Sequence, residues 1–308
     1  MATATSASTR SADIGLAVGI VCYILWGFLA LLFDQLRNVG SVTLVADRTI
    51  WSLVFVGIVL IVGGRTAEVR AALRDRASVL RMGIAALFLA GNWLIYVYAV
   101  ESNQVLEASF GYFINPLVNV AFGMALLGER LNRVQAVAIG IAVVGIAVQA
   151  AGLGTVPVIA LTLAVSFAIY GYLRKTANAP ALGGLFAETL ILSPLALGWL
   201  AFTFIRDGGV GPHADPHTML LLMLTGPATA IPLLMFAFAV QRLKLTTIGM
   251  LQYISPSIQF VLALVLFGEH LNETRLISFG LIWLSLIVYT TDSVIRRRRP
   301  PAIVEPVV

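Results

Sequence analysis

Polar and apolar positions fall in long blocks. Nine stretches carry little or no charge: residues 14–33, 49–64, 82–100, 108–128, 134–173, 176–205, 218–241, 245–268 and 276–291. A helix rises about 1.5 Å per residue and the hydrocarbon core of a bilayer is about 30 Å thick, so roughly 20 apolar residues make one crossing. The second block reaches that length only by starting near Ser41, which takes Asp47 and Arg48 into the helix. The fifth, residues 134–173, would form a helix of about 60 Å and must fold back. Gly152, Gly154 and Pro157 supply the break, glycine ending one helix and proline fitting the first turn of the next. The pattern predicts ten transmembrane helices. Asp34-Gln35-Leu36-Arg37 follows the first block without a small-residue cleavage site, so that block reads as a retained helix.

The chain also repeats itself. Shifted by 140 residues, "NWLIYVYAVE" from Asn92 falls on "PLLMFAFAVQ" from Pro232. Ile114, Pro116, Leu126, Gly128, Glu129, Leu131, Asn132 and Gly140 then meet Ile254, Pro256, Leu266, Gly268, Glu269, Leu271, Asn272 and Gly280. Apolar matches arise by chance, but a proline, a Gly-Glu-x-Leu-Asn run and a later glycine in one register point to duplication of a five-helix unit. Five is odd, so the second copy enters the bilayer from the other side. The expected fold is an all-α integral membrane protein with ten transmembrane helices in two inverted-topology five-helix repeats. Its divisions are a tail over 1–12, repeats over 13–150 and 153–292, and a basic tail over 293–308. Such architectures are common in secondary transporters, with the substrate site near the midplane between the halves.

Composition agrees: 59% of the residues are hydrophobic and 11% charged, against about a quarter charged in soluble domains. With the N-terminus in the cytoplasm, sixteen Lys and Arg fall inside and two, Arg37 and Arg206, outside. The formal charge of +5 thus reads as a topology signal with both termini cytoplasmic, not as a nucleic-acid surface. One cysteine, Cys22, in an apolar block excludes an intramolecular disulfide and a cysteine-cluster metal site. His213 and His217 flank Asp215 between Pro212 and Pro216, prolines that argue against a helical metal site, and no metal or other cofactor is expected.

Polar groups inside the blocks are the candidate chemistry. Glu107, Gly111, Asn115 and Asn119 recur every fourth residue along the fourth helix. Thr247, Leu251, Ser255 and Gln259 fill the equivalent stripe of the ninth, with Gln252 and Tyr253 beside it. Two equivalent stripes should face each other, as cavity lining or as interhelical hydrogen-bonding glue. Asn92, Trp93, Tyr96, Tyr112 and Phe236 add polar and stacking groups for a planar or amphipathic small-molecule substrate. Pro116 and Pro256 each remove a helical hydrogen bond near mid-membrane, enough for a kink. Arg48 and Glu188 are equivalent positions of opposite charge within otherwise apolar helices. They should lie at opposite depths, which argues against a mutual ion pair. Arg48 has three outlets: Glu107, an anionic substrate group, or the surface with Asp47 as partner. Glu107 and Glu188 are candidates for proton coupling. Gly-Glu-x-Leu-Asn reads as a structural hinge ending the fourth and ninth helices.

No HExxH, GxGD, Gly-x-Ser-x-Gly or P-loop occurs, so neither an intramembrane enzyme nor an ATP-driven pump is expected. Stripes of Asn and Gln could equally line a passive channel. "DRTIWS" from Asp47, "GNWLIYVYAV" from Gly91, "LEASFGYFINPLVN" from Leu106, "LGER" from Leu127, "SFAIYGYLRK" ending at Lys175 and "RLKLTTIGMLQYISP" from Arg242 resemble the RarD-type permeases, named for chloramphenicol sensitivity, of the EamA family in the drug/metabolite transporter superfamily. The resemblance spans roughly residues 13 to 292. It implies a bacterial inner-membrane protein built as a basket of two EamA repeats, exporting metabolites or drugs by alternating access. The fourth- and ninth-helix stripes would then hold the cargo.

Overall fold

A computed structural model describes residues 2–101, 105–151, 157–208, 211–265 and 273–298. These form twelve α-helices: α1 (Ala2–Asp34), α2 (Ser41–Val62), α3 (Thr66–Arg74), α4 (Arg76–Glu101), α5 (Val105–Leu127), α6 (Arg133–Ala151), α7 (Val158–Thr176), α8 (Ala181–Arg206), α9 (Pro216–Arg242), α10 (Leu245–Gln252), α11 (Ile254–Val265) and α12 (Glu273–Arg298). Nine of the described helices are long and apolar enough to cross a membrane: α1, α2, α4 to α9 and α12. Side chains such as Val62, Ile205 and Leu195, 70% or more exposed, cover their outer surface. A belt of large apolar groups facing outward suits hydrocarbon, not water.

The fifth apolar block is two helices, α6 and α7, as its length requires; residues 152–156, where the fold-back was expected, lie outside the described residues. So do the second Gly-Glu-x-Leu-Asn run, within 266–272, and the tail from 299. Helix formation runs further upstream than the apolar pattern indicates, α1 beginning at Ala2. The charged stretch after α2 is also helical: α3 buries Ala72 and lies on α8. The eighth block, the expected ninth helix, breaks at Tyr253 into α10 and α11. Pro256 has no N–H to return to the Gln252 carbonyl, so the chain tightens there and Tyr253 N–H bonds Met250 O at 3.3 Å. The equivalent Pro116 sits inside an unbroken α5.

The starts of α4 and α9 are capped by carboxylates. Asp75 accepts from the Ser78 hydroxyl at 2.7 Å and the Ser78 and Ala77 N–H groups ahead of α4. Asp215 accepts from the Thr218 hydroxyl and N–H at the start of α9. These bonds, the hydroxyl's first in each case, hold both carboxyls below the usual carboxylate range.

Between helices in lipid the hydrophobic effect gives little, and close approach of small residues takes its place. α6 offers Ala138, Ala142 and Gly145 to α12, whose Ser285 and Ser278 hydroxyls donate to the Ala138 and Gly145 carbonyls at 2.6 and 2.8 Å. α2 and α9 meet so closely at Gly226 that a Cβ there would lie 2.5 Å from the Trp51 carbonyl oxygen. A Cβ on Gly249 of α10 would lie 2.5 Å from the Pro116 carbonyl of α5. The packing network has a regular plan. α1 packs on α9, α10 and α11, while α7 packs on α4 and α5. α2 packs on α9 and α8 on α4; α2 also meets α8, α5 meets α10, and α6 meets α12.

Candidate functional site

The amides of α4, α5 and α10 join helices. Asn92 on α4 donates to the Leu163 carbonyl and the Ser166 hydroxyl of α7, both at 2.9 Å. Asn115 on α5 donates to Ala164 O of α7 at 2.7 Å. Asn119 donates to Asn115 Oδ1 at 2.9 Å and to Gln252 Oε1 of α10 at 2.8 Å. Bonds of this kind contribute about 0.6 to 2 kcal/mol each. Among the described residues one hydrogen bond links the first stripe to the amide beside the second, Asn119 with Gln252. The rest of the α5 stripe turns to α7, because Gly111 lets that backbone come close: a Cβ there would lie 2.9 Å from Ala160 O. Asn119 Oδ1 is buried without a partner. Gln259 is half-buried on α11, and Tyr253 is fully buried among Phe110, Phe113 and Phe279.

Arg48 gathers the remaining aromatics. Its guanidinium carbon lies 4.1 Å from the Trp93 ring centre and 5.3 Å from that of Phe33. Tyr96 and Tyr112 are its electrostatic neighbours, with ring centres 6.0 Å apart. Tyr96 and Tyr112 are 37% and 39% exposed, and Arg48 is half-buried beside them. Asp47 is not the partner of Arg48, contrary to one expectation. It turns the other way, to His213, whose Nε2 lies 3.0 and 3.1 Å from its two oxygens. The Glu107 side chain lies outside the described part of the structure. Among the described residues no carboxylate pairs with Arg48, and its Nε is buried without a hydrogen bond. Cation–π contacts contribute about 0.5 to 2 kcal/mol, whereas desolvating an ion costs several kcal/mol. The aromatics alone do not offset that cost.

Glu188 also has a partner that the sequence reading missed. Arg174, assigned there to the cytoplasmic flank, is fully buried and its Nη1 lies 3.1 Å from Glu188 Oε1, both side chains being 1% exposed. Arg174 Nη2 reaches Ala181 O at 3.2 Å and the Tyr170 hydroxyl donates to Glu188 Oε2 at 3.4 Å. Tyr170 stacks on Phe236, at 5.8 Å and 16°, in a cluster with Trp26 and Phe167. Phe236 is 1% exposed, a packing residue of the molecule's centre. Phe167, Tyr170 and Arg174 recur at i, i+3 and i+7, a helical stripe legible in the sequence but hidden by the reading of Arg174 as a solvated end.

The same end of the bundle is tied together by backbone capture. Glu129, from the first Gly-Glu-x-Leu-Asn run, accepts from the N–H groups of Leu245 at 2.6 Å and Thr246 at 2.9 Å, and so caps α10. Gly128 (φ +63°) makes the turn that aims it. Lys175 donates to the carbonyls of Val240, at 3.0 Å, and Leu243. Asn132 and Gln135 cap each other across the first turn of α6, and Asn132 also donates to Asp292 at 2.6 Å. This run is structural, as its composition suggests.

Comparison with known proteins gives this arrangement a family. The model of the EamA-like transporter family matches residues 13–150. Protein RarD of Streptomyces exfoliatus is 40% identical, covering 94% of this chain and 92% of its own. An uncharacterized transporter of Pseudomonas aeruginosa is 39% identical over 93% of this chain and 96% of its own. A crystal structure of a protein 22% identical superposes with a TM-score of 0.72, covering 92% of this chain and 99% of that one, a likeness of fold. Buried charges, apolar belt and full-length relatives agree: the chain is a multi-pass membrane protein that belongs to the EamA-like transporter family, among its RarD-type members.

Proposed function

We propose that the protein is a secondary transporter, exporting small metabolites or drugs across the bacterial inner membrane by alternating access between two inverted five-helix repeats. Ten crossings are assigned, the ninth being α10 and α11 together. The packing plan supports the repeats. The 140-residue shift carries α1 to α7, α2 to α8, α4 to α9, α5 to α10 and α11, and α6 to α12. Under it α1–α9 exchanges with α7–α4, α1–α11 with α7–α5, and α2–α9 with α8–α4, while α2–α8, α5–α10 and α6–α12 map onto themselves.

One observation carries the mechanism. The shift maps Arg174 onto Asp34 and Glu188 onto Arg48, the same pair with its charges exchanged. Arg174 and Glu188 are joined. Asp34 instead holds Arg37 at the surface, and Arg48, half-buried against Trp93, has no carboxylate partner among the described residues. One end is latched and its counterpart open, as expected of one of two exchangeable states. With both termini cytoplasmic, the latched end is cytoplasmic and Arg48 lies toward the outer face. Protons are the coupling ion in this reading, and Glu188 carries them when Arg174 withdraws. In proteoliposomes Glu188→Gln should abolish dependence of transport on a pH gradient; dependence that persists removes Glu188 from coupling. Planar-bilayer recording separates the channel alternative: a carrier gives saturable flux without unitary conductance, and conductance steps would overturn the proposal.

A further inference from the structure

From Arg48 and its aromatic neighbours we infer that the cargo is an organic anion, a carboxylate on an aromatic or apolar body; this names the substrate class and rests on the carrier reading above. Three observations converge. Arg48 makes no hydrogen bond to any described residue and its buried Nε has no acceptor. A guanidinium presents five N–H donors along the edge of a planar fork, and its carbon lies 4.1 Å from the Trp93 ring centre, a contact that takes up none of those donors. That edge fits a carboxylate bidentately.

The adjacent carboxylate does not fill this role, since Asp47 is held by His213. The equivalent pair in the other half has its carboxylate in place, Glu188 against Arg174. Position 48 is the half of that pair whose anion does not come from Asp34, which sits with Arg37. Around the fork, Phe33, Trp93, Tyr96 and Tyr112 supply apolar faces for the rest of the molecule, and the two tyrosines keep enough surface to meet it. In the exchanged state Asp34 would take the fork and displace the bound anion.

The test uses full-length protein in detergent with 4-phenylbutyrate and its neutral isostere 4-phenylbutyramide, bound by equilibrium dialysis. The carboxylate should bind the wild type at least about tenfold more tightly, a difference one charge-assisted pair can supply. Arg48→Gln should shrink the preference to within about twofold. Arg48→Lys, which keeps the charge but lacks the fork, should retain part of it. Equal binding of the two probes, no saturable binding of the carboxylate, or an undiminished preference in folded Arg48→Gln would overturn the inference. The wild-type comparison stands even where a variant fails to fold. Proteoliposomes separate the two claims. Arg48-dependent binding without counterflow defeats the carrier reading alone, and counterflow of other cargo without carboxylate binding defeats the anion site alone.

Discussion

Arg174 and Glu188 sit in the interior with 1% of each side chain exposed, so removing either partner leaves a buried charge alone. Arg174→Ala should lower stability by about 3 to 5 kcal/mol, whereas replacing both residues together, as Arg174→Met with Glu188→Leu, should cost far less. Thermal unfolding of the monodisperse protein in detergent checks both. Charged residues inside apolar blocks were legible in the sequence, and Arg48, Trp93, Tyr96 and Tyr112 do converge. Partner choice was not legible. Asp47 and Arg48 are adjacent in sequence but about 100° apart around α2, so one faces His213 and the other Trp93. Arg174 was hidden for a related reason: next to Lys175 at the end of an apolar block, it looks like a topology signal, and only the close approach of α8 buries it.

Helix ends and crossings set the next level. Glu129 satisfies two otherwise unpaired N–H groups of α10, and hydrogen bonds to a charged acceptor contribute about 1.5 to 3 kcal/mol. Glu129→Ala should therefore cost about 1 to 3 kcal/mol in thermal unfolding, with helical content retained. Gly226→Val should be at least as damaging, because the new side chain meets the Trp51 backbone, which cannot give way; overpacking of this kind costs about 1 to 3 kcal/mol, read the same way. Block lengths fixed most helices in advance, including the division into α6 and α7. They did not foresee α3, whose charged sequence resembles a connection until the groove against α8 takes up Ala72. Nor did they separate the two proline helices, since Pro116 and Pro256 are equivalent in sequence and only the second breaks its helix. The amide stripes were found, but their direction follows from Gly111 bringing α5 against α7.

At the scale of the whole molecule, the proposed inverted repeats would make one end the counterpart of the other, and alternating access then requires that loosening the Arg174–Glu188 end close the Arg48 end. Spin labels test this without any cargo, in a background where the sole cysteine, buried Cys22, is serine. One label pair spans the Arg174–Glu188 end at Arg130 and Lys244, and a second sits toward the Arg48 end at Arg37 and Tyr98, all exposed positions. Electron–electron distance distributions are compared between this background and Glu129→Ala, which removes the cap tying α5 to α10 and, under the proposed alternating access, biases the equilibrium away from this state. Alternating access predicts that the 130–244 distance gains a longer population and the 37–98 distance a shorter one, in matching proportions. A change at one end without its opposite at the other, or none at either, would contradict the account.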